Sequence, residues 1–430
     1  MFYILLATLS VAAGHTFDTF NTVYSWKQVE YELPNDTIRN KLIASGDYVP
    51  QNNIPLGLAI WRDKMFVTVT RWKKGVLANV NSFSMHDKSS SPILKPYPDF
   101  ETNNIHSPDG IVNIFRLRID SCDRMWGLDT GVDDIMGEGT VVRPMRLIVF
   151  DLKTNKIIRK YTLKDTDKKP DTFIADLAVD VLPGQCGKAY AYMSDFAAYG
   201  IVVYSWEKND SWRINHNYFH FNPVDTDYNV NGYNFQWTDG VFGMSLSPKI
   251  RADGYRTLYF HSMSGSTEFS VSTDVLQDQT LNKSSKFHNF HIVGNKGPLT
   301  QGPSSIIDPE TCIDYFTQVN RNGIACWDTK IELTPETFKL VAQDNKTLVF
   351  PQDLTIDNKS RKIYVLSNNI PRFLQSTFNP SETNYYITMA DLNKLAILCK
   401  QNPMGPRWPM KITKSLKSDE KDDYMIFPDY

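Results

Sequence analysis

Apolar and polar positions alternate along this chain in short bursts, and the bursts come in pairs separated by a polar turn. In Gln352–Asn368, QDLTIDNKSRKIYVLSN, Leu354 and Ile356 alternate with Thr355 and Asp357. Asn358–Arg361 makes a turn, and Ile363, Tyr364, Val365 and Leu366 form a second apolar run. The same pattern stands at Leu56–Val69, Leu117–Asp129, Leu177–Asp195, Val241–Ser262 and Ser304–Gln318. Each second run carries an aromatic residue, Phe66, Trp126, Tyr192, Tyr259, Tyr315 and Tyr364, at separations of 49 to 67 residues. Strand pairs repeated at a nearly constant period predict a repeat architecture. One small sheet cannot bury both of its faces alone, so the copies must pack on one another. The expectation is an all-β fold over residues 15–403, a six-bladed β-propeller of four-stranded antiparallel blades.

Between the copies lie weaker patterns. Pro144–Leu163 predicts an outer hairpin, with Thr154-Asn155 as its turn, and Ile201–Trp206 with Trp212–Phe221 predicts its counterpart one copy later. Ser82–Pro98 reads as a polar strand connection, and Asn231-Gly232 as a hairpin turn. Trp26–Leu33 alternates and predicts a strand ahead of the first copy. Helical periodicity is scarce, with short helices expected at Thr273–Leu276 and Met389–Leu398. Residues 404–430, rich in Pro, Lys and Asp, read as an extended tail.

Composition narrows the class of partner. The net charge is −2, which leaves no cationic surplus to draw nucleic acid or an anionic membrane surface. Phe2–Ala13 is apolar but too short to span a bilayer, and Ala12 and Gly14 suit the −3 and −1 positions of a cleavage site. Residues 1–14 are therefore expected to be a secretory signal and the protein extracellular. Five acceptor sequons, at Asn35, Asn209, Asn282, Asn345 and Asn358, are the expected glycosylation sites.

An oxidising compartment makes disulfides the expectation for five cysteines, with one left over. Cys122 and Cys186 fall in equivalent turns of neighbouring copies, a reasonable pair. Cys326 with Cys399 would tie the C-terminal segment to the body and leave Cys312 as a buried thiol. Other pairings stay open on spacing alone.

Familiar catalytic and metal-binding motifs are scarce in the sequence. His216 and His220 sit in strand-like surroundings, where four residues span about 13 Å and cannot share a metal. His288 and His291, three apart, would point to opposite faces of a strand. Asp227–Gly232 matches the first half of a calcium loop, but Thr238 stands where the bidentate Glu belongs. No phosphate loop or nucleophile elbow is present, and no metal or cofactor is expected.

In a propeller, the start of each blade's first strand and the end of its second converge on the mouth of the central channel, a concave place for a ligand. That mouth is expected to gather Trp72, Thr130, Asp195, Phe196, Phe242, Met263, Phe350, Gln352, Asn368 and Ile370. Aromatic walls with a few acceptors suit a small aromatic cation. Asp129, Asp133 and Asp195 are carboxylates on this face. Asp195 with Tyr199 is the candidate pair for proton transfer, against the alternative that such carboxylates cap loop amides.

The segments DKMFVTVTRWKKGVLANVNSF, DSCDRMWGLDTG, DGVFGMSLSP, GIACWDT, VLSNNIPRF and ITMADLNKLAILCKQNP resemble the yellow / major royal jelly protein family, in family order, from about Trp26 to about Pro403. The resemblance implies a secreted six-bladed propeller with the disulfides named above. The family includes cuticle-pigmentation factors, nutritive jelly proteins and salivary proteins that bind biogenic amines, and some relatives have been assigned dopachrome-converting activity. Residue by residue, it implies that Phe242, Met244 and Phe350 wall a pocket and that the Asn368 amide meets a ligand amine. Gln352 replaces a threonine and Ile370 a phenylalanine of the amine-binding members. The expected ligand is a small aromatic amine or catechol. The alternatives are a dopachrome-converting enzyme and a structural or nutritive protein with no pocket ligand.

Overall fold

Each predicted strand pair becomes the inner half of a four-stranded antiparallel sheet in a computed structural model that describes residues 19–281 and 285–400. Counting strands outward from the axis, blade one is Ile54–Trp61, Lys64–Thr70, Val80–Ser84 and Lys95–Pro96. Blade two is Ile114–Ile119, Arg124–Asp129, Arg146–Asp151 and Lys156–Thr162. Blade three follows with Ile174–Asp180, Tyr190–Asp195, Gly200–Ser205 and Asp210–Asn215. Blade four is Val241–Leu246, Thr257–Ser262, Thr267–Ser272 and Phe290–Asn295. Blade five comprises Ser305–Ile307, Ile313–Gln318, Gly323–Asp328 and Lys339–Gln343. The six repeat aromatics all fall at the third residue of their second strands, so the period in the sequence is a period in space.

Blade six closes the ring. Its inner strands, Pro351–Asp357, Lys362–Ser367 and Tyr385–Asp391, come from the C-terminal part, and its outermost strand, Asn21–Trp26, comes from the N-terminal part. The register runs from Asn21 opposite Met389 to Trp26 opposite Tyr385. Each first strand packs beside the first strands of both neighbouring blades, so no inner edge is left open.

Several local expectations shift. The N-terminal strand is Asn21–Trp26, not Trp26–Leu33, because its partner in blade six begins at Tyr385, and past Trp26 the chain leaves that blade, with Tyr31 making an isolated parallel bridge to Leu94. The alternation seen downstream arises instead from Val29 and Tyr31, both buried against blade one. Met389–Leu398 divides into strand and helix. Asp391 caps the turn by accepting from the amides of Asn393 and Lys394, and the helix runs Leu392–Lys400. A helix at Asp36–Ser45 was not anticipated; the Asn35 side chain caps it by accepting from Ile38 N, and Gly46 ends it at φ +81°. The predicted strand Trp212–Phe221 stops at Asn215, where His216 Nδ1 accepts from Tyr218 N and starts a 3₁₀ turn. His288 likewise lies in a 3₁₀ turn, not in a strand with His291.

Cys122–Cys186 joins the first turns of blades two and three, and Cys326–Cys399 fastens the last helix to blade five. Cys312 is a buried free thiol. Asn35, Asn209, Asn345 and Asn358 are exposed. Asn282, residues 1–14 and residues 404–430 lie outside the described residues. Among the described residues no helix is long and apolar enough to cross a membrane.

On the axis, the fully buried guanidinium of Arg116 ties four blades together. Its Nη1 donates to Asp176 Oδ2 (2.9 Å) and to the Pro303 carbonyl (2.8 Å), and its Nη2 donates to the Gln352 carbonyl (2.6 Å). Asp353 Oδ1 lies 3.6 Å from its Nε, and Arg118 pairs with both carboxylates from below. Two arginines against two aspartates leave the buried cluster neutral, the condition under which such charges are tolerated.

Candidate functional site

A β-bulge inserts an extra residue into one strand and re-aims a side chain. Five of the six first strands carry one, where the register slips at Pro55/Leu58, Ile114/Leu117, Ile174/Asp176, Val241/Gly243 and Pro351/Asp353. From these slips Leu56, Phe115, Ala175, Phe242 and Gln352 all face one cavity of about 490 Å³ at the end of the axis. The residues next in the chain, Arg116, Asp176 and Asp353, form the polar cluster beneath it. One irregularity, repeated blade by blade, thus makes both the cavity and its floor. The Arg116 guanidinium lies 4.7 Å from the Phe242 ring centroid, so the floor is an aromatic face backed by a cation.

The walls are aromatic. Trp72, Phe115, Phe173, Phe196 and Phe242 form a continuous series of ring contacts at 5.3, 5.1, 5.5 and 4.9 Å between centroids. Trp237 meets Phe350 at 5.8 Å on the other side. Two insertions and a helix raise the rim. The hairpin Val132–Asp133 with Thr140–Val141 carries Ile135 and Met136 over Trp72, donating from Met136 N to the Trp72 carbonyl at 2.8 Å. The hairpin Asp227–Val230 with Tyr233–Gln236 leads into Trp237 and Asp239, turning at Asn231-Gly232 with both residues at positive φ. The helix Ile370–Gln375 contributes Ile370 and Leu374. Phe350 holds φ +49°, a strained setting for a non-glycine residue and one that clusters at functional sites.

Few polar groups reach this apolar space. Gln352 is buried with no partner for its Oε1, and the Trp72 Nε1–H is likewise unpaired. Asp239 is partly buried in the wall with no partner for its carboxylate, and burial pushes its pKa up to about 7. An aromatic box with a free acceptor, a free donor and a carboxylate poised near neutrality can stack a ring and meet a polar substituent.

Of the residues predicted to converge, Phe242, Phe350, Gln352 and Ile370 line the cavity together with Trp72, Phe196 and Met263. Met244 does not. Two positions beyond Phe242 on the strand, it packs between blades three and four with Tyr192, Ile201 and Phe260. Asn368 is fully buried behind the wall, where its Nδ2 donates to the Pro55 carbonyl at 2.9 Å and its Oδ1 is unpaired.

Asp195 is taken up as a brace. It accepts from Arg213 Nη1 (2.6 Å), Thr172 Oγ1 (2.7 Å) and the amides of Phe173 (2.9 Å) and Ala198 (3.1 Å). Tyr199 stacks on His220 at 4.3 Å and donates to the Thr238 carbonyl, and neither Asp195 nor Tyr199 lines the cavity. Asp129 caps the amides of Val112, Asn113 and Gly131 and pairs with Arg146, while Thr130 bonds the Asn113 carbonyl. The carboxylate set into the cavity wall is Asp239, with Asp171 exposed at the rim, and sequence reasoning passed over both. The trace of Asp239 was the Asp-Gly pair immediately before the first strand of blade four.

The family model described as Major royal jelly protein matches residues 112–399, from just before blade two to the last helix. "Protein yellow" of Drosophila melanogaster is 40% identical over 400 residues, covering 91% of this chain and 73% of that protein. "Protein yellow" of Drosophila madeirensis is 38% identical over 419 residues, covering 96% and 73%. Among solved structures, the calcium-binding protein regucalcin of Agrobacterium tumefaciens aligns over 79% of this chain and 90% of its own, at 10% identity and a TM-score of 0.43.

Proposed function

The chain belongs to the major royal jelly protein family, and from that premise we propose that it is a secreted yellow-type protein binding a small aromatic ligand at the mouth of its axis. The ligand class is a catechol- or indole-amine-like molecule, and the setting is cuticle pigmentation, melanin chemistry or development. The observation that carries this reading is the unbroken aromatic lining from Trp72 to Phe242 around a cavity of about 490 Å³, with unpaired polar atoms at Gln352 and Trp72. Such a volume matches the low end of small-molecule sites. Two disulfides fit an oxidising compartment, in keeping with secretion. The test is calorimetric titration of the purified protein with dopamine and with serotonin. Saturable heat at micromolar ligand supports the reading, and no heat up to high micromolar ligand defeats it.

A second reading, conversion of dopachrome to dihydroxyindole, is favoured by Asp239 alone. A carboxyl group held near neutrality inside an aromatic cavity has the protonation range that general acid–base catalysis requires. Dopachrome absorbance decaying no faster with active protein than with heat-killed protein removes that reading.

A further inference from the structure

The polar inventory of the cavity is lopsided. Among the described residues, its ionisable lining residues are Asp171 and Asp239, and no Lys, Arg or His lines it. Asp171 is exposed at the rim, whereas Asp239 is set partly buried beside Trp237, whose ring offers a face to a cation. Asp239 is held in place through its backbone, since its carbonyl accepts from Ser264 N at 3.1 Å while its carboxylate stays unpartnered. The Gln352 Oε1, more than nine-tenths buried and unpaired in the same cavity, is a second acceptor without a donor. Two acceptors without donors, above an Arg116 already paired with Asp176 and Asp353, define what is missing: a ligand bearing N–H donors and a positive charge.

Resting on the aromatic-ligand reading above, we propose that Asp239 is the charge-selecting residue of this cavity, admitting a cationic aromatic molecule in preference to its neutral isostere. The titratable and charged groups around it leave that role open. Tyr228, on the inserted hairpin, feels the Asp239 charge but bonds Ser264 Oγ (2.8 Å) and is raised well above the ordinary tyrosine range by burial. Tyr199 is engaged with the neighbouring Thr238 carbonyl. Asp225 is bonded to Ser266, and Arg116, beneath Phe242, is paired with Asp176 and Asp353. None of these supplies a counter-ion to Asp239, whose displaced titration has burial as its cause. Selection is therefore strongest above neutrality, where the carboxylate is ionised, and fades as it protonates.

The experiment compares tyramine with 4-ethylphenol, which share a phenol ring and differ in the ammonium group. Each is titrated calorimetrically into wild type and Asp239→Asn at pH 6 and pH 8. Wild type is expected to prefer tyramine at least tenfold at pH 8. A carboxyl titrating at about 7 should lose about tenfold of its tyramine affinity between pH 8 and pH 6, with 4-ethylphenol unchanged. Asp239→Asn should bind both probes alike at both pH values, its retained 4-ethylphenol affinity reporting an intact cavity. Equal binding of the two probes by wild type, or an undiminished tyramine preference in Asp239→Asn, overturns the assignment of Asp239 and leaves the aromatic-ligand reading standing. If neither probe binds wild type, that reading falls and the inference falls with it.

Discussion

Arg116→Met tests whether the axial cluster holds the ring together. Met keeps an unbranched apolar stem, so the substitution removes the cation with little change in packed volume. What is lost can be read from the contacts: one ion pair to Asp176, one to Asp353, and the donors to the Pro303 and Gln352 carbonyls. Arg118 remains, with its side chain 20% exposed, and faces two carboxylates alone. Removing one partner of a buried ion pair costs about 3–5 kcal/mol, the orphaned acceptors included. Unfolding of the roughly 380 described residues gains about 0.8 kcal/mol per kelvin of entropy near the midpoint, so a loss of about 4 kcal/mol lowers Tm by roughly 5 °C. Differential scanning calorimetry at pH 7 measures this directly. A Tm within a degree of wild type would refute the view that this cluster binds the blades, and a rise would show that an apolar axis serves better.

Other consequences follow from the same contacts. Serine at both Cys122 and Cys186 opens a loop of 64 residues between blades two and three and should cost about 4 kcal/mol on the chain-entropy account, measured as a lower denaturation midpoint with activity or binding intact in the folded fraction. Phe242→Ala should weaken binding of an aromatic ligand about tenfold, whereas Met244→Ala, which empties a space between blades, should lower Tm and leave affinity nearly unchanged; calorimetric titration beside melting curves separates them. Asp239 binds protons more tightly in the folded state than in the unfolded one, so its contribution to stability falls as pH rises from about 4 to about 7. Asp239→Asn should therefore raise Tm at pH 8 and leave it unchanged at pH 4, and equal shifts at both values would contradict the buried-carboxylate picture.

Blade count and blade starts were legible because each inner strand pair repeats a short apolar burst, a polar turn and a second burst, and the third residue of every second strand is aromatic. Closure of the ring was not. Asn21–Trp26 is a six-residue edge strand whose partner lies at Tyr385–Asp391, and local alternation cannot name so distant a partner. The cavity was legible in part, for a related reason. Strand alternation identifies Phe242 and Phe350 as ends of inner strands, but a bulge decides which neighbour turns inward, and it takes Phe242 and leaves Met244 in the blade core. Asn368 lies one residue past its strand and turns back to Pro55. Asp195 looks free in sequence because Arg213, its partner, stands two strands away. Asp239 looks like an ordinary turn residue until Trp237 and the inserted hairpin close around it.

A crystal structure of the protein with tyramine, grown at pH 8, would test the central claim most directly. The account predicts a ring packed among Phe242, Phe196 and Trp237, with its ammonium at Asp239 or Gln352 and Arg116 still paired beneath. An empty cavity, or a ligand seated anywhere outside these residues, would contradict it.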